Sequence, residues 1–219
     1  MKINVVRLIR LMVGLMFCAL GIVLMINANL GLSPWDVLHE GISKSIGITM
    51  GQASILISAI VIILDIFLGE KLGLGTILNV ITIGWFMDIL MLNNIIPVAN
   101  TFSLGILMTF LGMILMSVGC YLYIGSELGS GARDGMMVAL QKRTGKPISV
   151  VRGGLEVGVL ITGFLLGGTV GVGTIISSIG LGYCIQLVFK ILKFDVSNVD
   201  HIYIMDSIKY IKSNKYTNE

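Results

Sequence analysis

Six apolar stretches set the pattern of this chain: residues 6 to 27, 49 to 68, 75 to 92, 101 to 124, 148 to 167 and 173 to 190. A helix needs about 20 predominantly apolar residues to cross the hydrocarbon core of a bilayer, so each stretch reads as a transmembrane span. The third is short and fits with little tilt or a locally thin bilayer. Two further stretches, 33 to 46 and 131 to 144, have a helical pattern but are too short to cross. In the first, Ser33 is the expected N-cap, Pro34 suits the first turn, and Asp36 stands where a carboxylate can answer free backbone N–H groups. Trp35, Leu38, Ile42 and Ile46 make one apolar face and Gly47 ends it. A helix of that length reaches only about 18 Å. It can lie on the interface or enter the membrane halfway, and the pattern leaves both open.

The pattern runs twice. Shifted by 98 residues without a gap, the chain sets Gly14 on Gly112, Gly21 on Gly119, Gly31 on Gly129, Asp36 on Asp134, Lys44 on Lys142 and Gly47 on Gly145. Gly73, Gly75, Thr76 and Ile77 then fall on Gly171, Gly173, Thr174 and Ile175. Apolar composition alone would align some Leu, Ile and Val, but not a series of glycines and an aspartate. Two copies at so long a period mean duplication of a unit, not a solenoid. Each copy holds three spans, and an odd number forces the second to insert upside down. The expected fold is an all-α membrane protein of six transmembrane helices in two inverted-topology three-helix repeats, each with a short amphipathic or re-entrant helix. Its divisions are 1–97, 98–193 and a polar cytoplasmic tail, 194–219.

Composition strengthens this picture, with 55% apolar and 12% charged residues and a mean hydropathy of +0.96, values of the membrane class. The formal charge of +3 matters less than where it sits. With the N-terminus inside, every Lys and Arg except Lys44 and Arg152 falls on the cytoplasmic side. That bias places both termini there, in a multi-pass protein of the cell membrane. The basic and then apolar start resembles a signal peptide. It continues to Ile26 and Asn27 without a small-x-small cleavage site and is the first element of the repeat, so it reads as an uncleaved span. Past Lys193, Ile204, Ile208 and Ile211 recur at helical spacing beside lysines, which suits an interfacial helix or a frayed terminus. Gly154 and Gly158 form a G-x-x-x-G pair that would let two backbones meet, within the chain or between protomers of a homo-oligomer. Cys18, Cys120 and Cys184 stand singly in apolar runs, and His39 and His201 are isolated. No disulfide framework, metal site or cofactor is expected from them, and nothing points to nucleic acid.

Five ionisable residues are candidates for a solute or ion pathway. Asp36 and Asp134 are the acidic position the two copies share, and capping a helix would account for either. Arg133, however, stands where the first copy has Trp35, and an Arg-Asp pair at a helix start could bind an anion or form a gate. Arg152 and Glu156 lie four apart on one face of the fifth span, where the first copy has only Ser54 and Ser58. Glu156 is about 12 Å in from the start of its span. An ionisable group at that depth is costly unless paired or wet, and is functional by default. Asp65 and Asp88 lie near span ends and are expected to face headgroups or water. No H-E-x-x-H, G-x-S-x-G or Ser/His/Asp set that one side of a membrane could assemble is present, so no enzyme is expected.

The runs LGLSPWD (Leu30 to Asp36) and GSGARDGMMVAL (Gly129 to Leu140), the following KRTGK, and the paired G-x-G-T joints resemble the YczE/YyaS/YitT family of bacterial integral membrane proteins. The likeness covers nearly the whole chain except the tail. In that family the second motif usually reads Gly-Pro-Arg-Asp-Gly, and here Ala132 stands at the proline. The resemblance implies a polytopic cell-membrane protein and supplies no substrate. The expected function is a small permease or channel-like transporter, set in the lipid bilayer, with its site for a small solute between the inverted halves. Two alternatives stay open: the substrate-capturing subunit of a vitamin uptake system, and a non-transporting accessory protein that scaffolds a membrane complex.

Overall fold

The computed structural model describes residues 4–195 together with Val199 and Tyr203; the tail helix expected around Ile204 to Ile211 lies outside the described residues. Among these there are eight helices: α1 (Val5–Asn27), α2 (Pro34–Ile46), α3 (Met50–Leu68), α4 (Leu74–Leu92), α5 (Phe102–Ile124), α6 (Ala132–Thr144), α7 (Ile148–Leu165) and α8 (Val172–Ile191). All but α2 and α6 are long and apolar enough to cross a membrane. Each of the six follows its apolar stretch to within two residues.

Local chemistry fixes the ends. Thr49 and Gln52 close a capping box at the start of α3, with Gln52 N donating to Thr49 Oγ1 and Thr49 N to Gln52 Oε1, both at 3.1 Å. Asp88 of α4 accepts from the Thr49 hydroxyl and, at 2.8 Å, from Gly51 N. It therefore ties α4 to the head of α3 instead of facing headgroups. Both short helices stop at a glycine in the left-handed region, Gly47 at φ 72° and Gly145 at φ 65°. That conformation costs a residue with a Cβ but not glycine.

At the centre, α1 and α5 cross through their glycines. A Cβ on Gly21 would lie 2.5 Å from Gly112 O, and one on Gly14 would lie 2.9 Å from Gly119 O. No carbon fits at such distances, so the two backbones are in direct contact there. Numbers rise along one helix as they fall along the other, so the pair is antiparallel. Leu11, Leu15 and Cys18 pack with Tyr123 and Leu128 on one side of the seam, and Ala19, Ile22 and Val23 with Met87 on another. Outside this pair α4 lies on α1 and α8 on α5. The short helices exchange partners, α2 lying on α7 and α6 on α3.

Equivalent joints bond to one another in the same exchanged way. Gly75 N donates to Leu128 O at 2.7 Å, and Gly173 N donates to Leu30 O at 2.6 Å. Gly154 and Gly158, in contrast, have nothing within 4 Å of a Cβ, so among the described residues no other helix packs on that pair.

The buried side of α2 is not the apolar stripe of its sequence. Pro34, Asp36, Val37, Leu38, His39 and Gly41 are buried, whereas Ile46 is 59% exposed. Helix α2 is packed into the protein by its first two turns, because Gly41 and Gly163 let it lie directly on α7. Asp65, expected near headgroups, is 1% exposed. Helix α6 covers it, with Gly135 placed so that a Cβ there would lie 3.0 Å from Asp65 Oδ2.

Candidate functional site

A cavity of about 190 Å³ lies where all eight helices meet, and its walls follow the repeat. Cys18 and Met116, Ser33 and Gly131, Pro34 and Ala132, Trp35 and Arg133, Ser54 and Arg152, Ser58 and Glu156, Asn79 and Ser177 all line it. The members of each pair are 98 residues apart. The shape is thus shared between the copies, but the charge is not, since Arg133, Asp134, Arg152 and Glu156 all come from the second.

The first turns of α2 and α6 bring Trp35 and Arg133 face to face, with the Arg133 guanidinium carbon 4.6 Å from the centre of the Trp35 ring. Such a cation-over-ring contact holds an arginine without neutralising it. Arg133 Nη2 also stands 3.4 Å from His39 Nε2. Asp134 Oδ2 accepts from the Tyr123 hydroxyl at 2.8 Å, and Gly131 N donates to the same hydroxyl at 3.2 Å. On α7, Arg152 Nε donates to Glu156 Oε1 at 2.9 Å. Their side chains are 43% and 24% exposed, so the pair is not enclosed by the protein.

Asp36 takes a different place from the other four candidates. It does not line the cavity but lies behind Ser33, is 2% exposed, and accepts a hydrogen bond from the Ser33 hydroxyl. Ser33 sits at the N-cap of α2 yet makes no side-chain cap bond to the helix backbone. His39 Nδ1 is 3.3 Å from Asp36 Oδ1. One helix turn therefore links Ser33, Asp36 and His39, and His39 passes the contact on to Arg133. Burial pushes the Asp36 carboxyl up, but the His39 contact, the Arg133 charge and the Ser33 hydroxyl together outweigh it and hold Asp36 below its usual value. Burial pulls His39 down, and the Arg133 charge adds to it, so the imidazole is neutral. A neutral ring can accept from Arg133 at Nε2, while its Nδ1 lies beside Asp36 Oδ1 without a hydrogen bond between them.

His39 and Tyr123 are site residues that reading the sequence did not single out. His39 had a signal, since a spacing of three from Asp36 places both on one helix face. Tyr123 had none: it is one aromatic in an apolar span, and only packing aims its hydroxyl at α6.

A family model described as "Family of unknown function (DUF6198)" matches residues 5–190. The chain is 34% identical over 175 residues to "Uncharacterized membrane protein YczE" of Bacillus subtilis (strain 168), covering 79% of this chain and 80% of that one. It is 37% identical over 182 residues to an "Uncharacterized protein" of Haemophilus influenzae, covering 83% of each chain. It is 29% identical over 168 residues to "Uncharacterized protein YyaS" of Bacillus subtilis, covering 75% of this chain and 83% of the other. No solved structure matches the chain.

Proposed function

The chain belongs to the family of unknown function DUF6198, a membrane protein like its relative, and from that premise we propose that it is a small permease or channel-like transporter. Residues 1–97 and 98–193 are its two halves, inverted with respect to each other about an axis in the membrane plane, and the solute site is the cavity on that axis. One observation carries the reading: the cavity is walled by equivalent positions of both copies while its four charges come from one. Secondary transporters built from inverted repeats bind at such an interface, near the bilayer midplane. The exchanged Gly75–Leu128 and Gly173–Leu30 bonds and the antiparallel α1 and α5 support the inversion. The distribution of Lys and Arg supports placing both termini in the cytoplasm of a cell-membrane protein. No catalytic chemistry is assigned; the groups in the cavity bind and gate.

The test is a thermal-shift screen of the purified protein against small metabolites, followed by flux measurements in proteoliposomes. A ligand that prefers the folded state raises the melting temperature. The shift and the flux at sub-saturating ligand should fall about tenfold or more in Glu156→Gln and Arg152→Ala while both variants insert and remain folded. Flux that is unchanged by both substitutions sinks the proposal, as does a folded protein that moves none of its ligands.

A further inference from the structure

The two halves differ most in their last hairpin. Helices α3 and α4 close on each other along their length, whereas α7 and α8, joined by the short turn between them, do not pack together. Glycine contacts mark the difference. A Cβ on Gly84 would meet Gly51 O at 2.5 Å and Ile55 Cγ1 at 2.6 Å, while one on Gly182, the equivalent position, would meet nothing within 4 Å. Helix α7 is held instead by α2, and α8 by α5. What remains between them is a slot in one wall of the cavity, edged by Leu155 and Glu156 on α7 and by Ser178, Leu181 and Ile185 on α8.

The outer faces beside the slot are apolar. Val157 and Ile161 on α7, and Ile179, Tyr183 and Leu187 on α8, are each more than half exposed. On helices that cross a bilayer such faces meet acyl chains, so the slot opens toward hydrocarbon. Inside, Arg133 and Arg152 balance Asp134 and Glu156. A ligand of net charge would leave an uncompensated charge in a site of low dielectric, whereas a zwitterion gives each sign a partner. Among the described residues Arg133 touches the Trp35 ring and His39, with the Asp36 carboxylate acting on it from behind, and Asp134 accepts a hydrogen bond from Tyr123; neither is held in an ion pair at contact distance, so both can take a ligand's opposite charge.

We propose that the ligand is a membrane amphiphile: its zwitterionic head lies in the cavity and its hydrocarbon chain runs out between α7 and α8 into the bilayer. The inference rests on the reading of this cavity as the binding site of the permease, and it names the class of molecule bound there.

Trp35 lines the cavity, and the other tryptophan, Trp85, is 58% exposed on α4. In a Trp85→Phe background held in nanodiscs, Trp35 fluorescence is titrated with lysophosphatidylcholine carrying a nitroxide near the top of its acyl chain. The expected result is saturable quenching, reversed by unlabelled lysophosphatidylcholine but not by glycerophosphocholine, which is the head without a chain. Glu156→Gln should weaken it about tenfold, as loss of one charged contact does. Gly182→Leu should weaken it as much by filling the slot, and the space around Gly182 lets that variant fold. Non-saturable quenching that is equal in all variants would be boundary lipid, and it overturns the proposal. So does displacement by glycerophosphocholine, or equally tight binding of the net-anionic lysophosphatidylglycerol. Binding without movement of the lipid between leaflets would sink the permease and keep the amphiphile; flux of a water-soluble solute without lipid binding would do the reverse.

Discussion

Trp35 and Arg133 hold the same position in the two copies of the repeat, and they touch, guanidinium carbon to ring centre, at 4.6 Å. Equivalent residues can meet only where an axis relating the copies passes between them, so this contact marks where the proposed axis crosses the cavity. The contact also sets an energy. A cycle of Trp35→Ala, Arg133→Ala and the double substitution should give a coupling of about 0.5 to 2 kcal/mol in unfolding experiments. Additive losses would mean that the stacking holds nothing in place.

The stability that Asp36 and His39 contribute should fall with acidity. His39 and Asp36 both bind protons less readily in the fold than in the unfolded chain, so protonation favours unfolding. The His39 contribution is complete above about pH 6.5, its unfolded value, and is lost as pH falls through the folded value; that of Asp36 follows at lower pH. In an Asp65→Asn background, which removes the opposing contribution of that buried carboxylate, the melting temperature should be flat from pH 9 to 7 and decline below. His39→Asn should lose the first part of that decline, and an unchanged profile in that variant would contradict the assignment.

Glycines should divide sharply. Gly21→Ala places a carbon 2.5 Å from Gly112 O and should cost about 1 to 3 kcal/mol by overpacking. Gly158→Ala meets nothing within 4 Å and should be neutral or slightly stabilising, since alanine is the better helix former. Comparing the two melting temperatures checks the α1–α5 seam.

Asp65 is buried at 1% exposure with Oδ1 accepting no hydrogen bond among the described residues. Glu70, the nearby acid on the same side, is already paired with Lys142 at 2.7 Å. An unanswered buried carboxylate opposes folding. Asp65→Asn, of the same shape, should therefore raise stability at pH 8 by about 1 kcal/mol or more. A lower melting temperature would show that the carboxylate has a favourable role.

Topology has its own check. The side chains of Lys44 and Lys142, equivalent in the two copies, are 51% and 65% exposed. With the native cysteines replaced by alanine, an impermeant thiol reagent on intact cells should label Lys44→Cys and leave Lys142→Cys untouched. Equal labelling would end the inverted arrangement.

By itself the sequence determined the six long apolar helices and their order, because hydropathy and helical period depend on neighbours a few residues away. It also placed the glycines that α1 and α5 use, though not that they would face each other. Tertiary structure alone decided the rest. It set Asp36 behind Ser33, aimed Tyr123 at Asp134, and left α7 and α8 apart where α3 and α4 close. The physical reason is volume at the contacts between halves. Gly163 accepts the Val37 region of α2 directly, whereas at the equivalent joint Asp65 fills the space that Gly135 leaves. Two joints of one ancestry thus pack with knob and hole exchanged, and no local pattern along the chain records which side carries which.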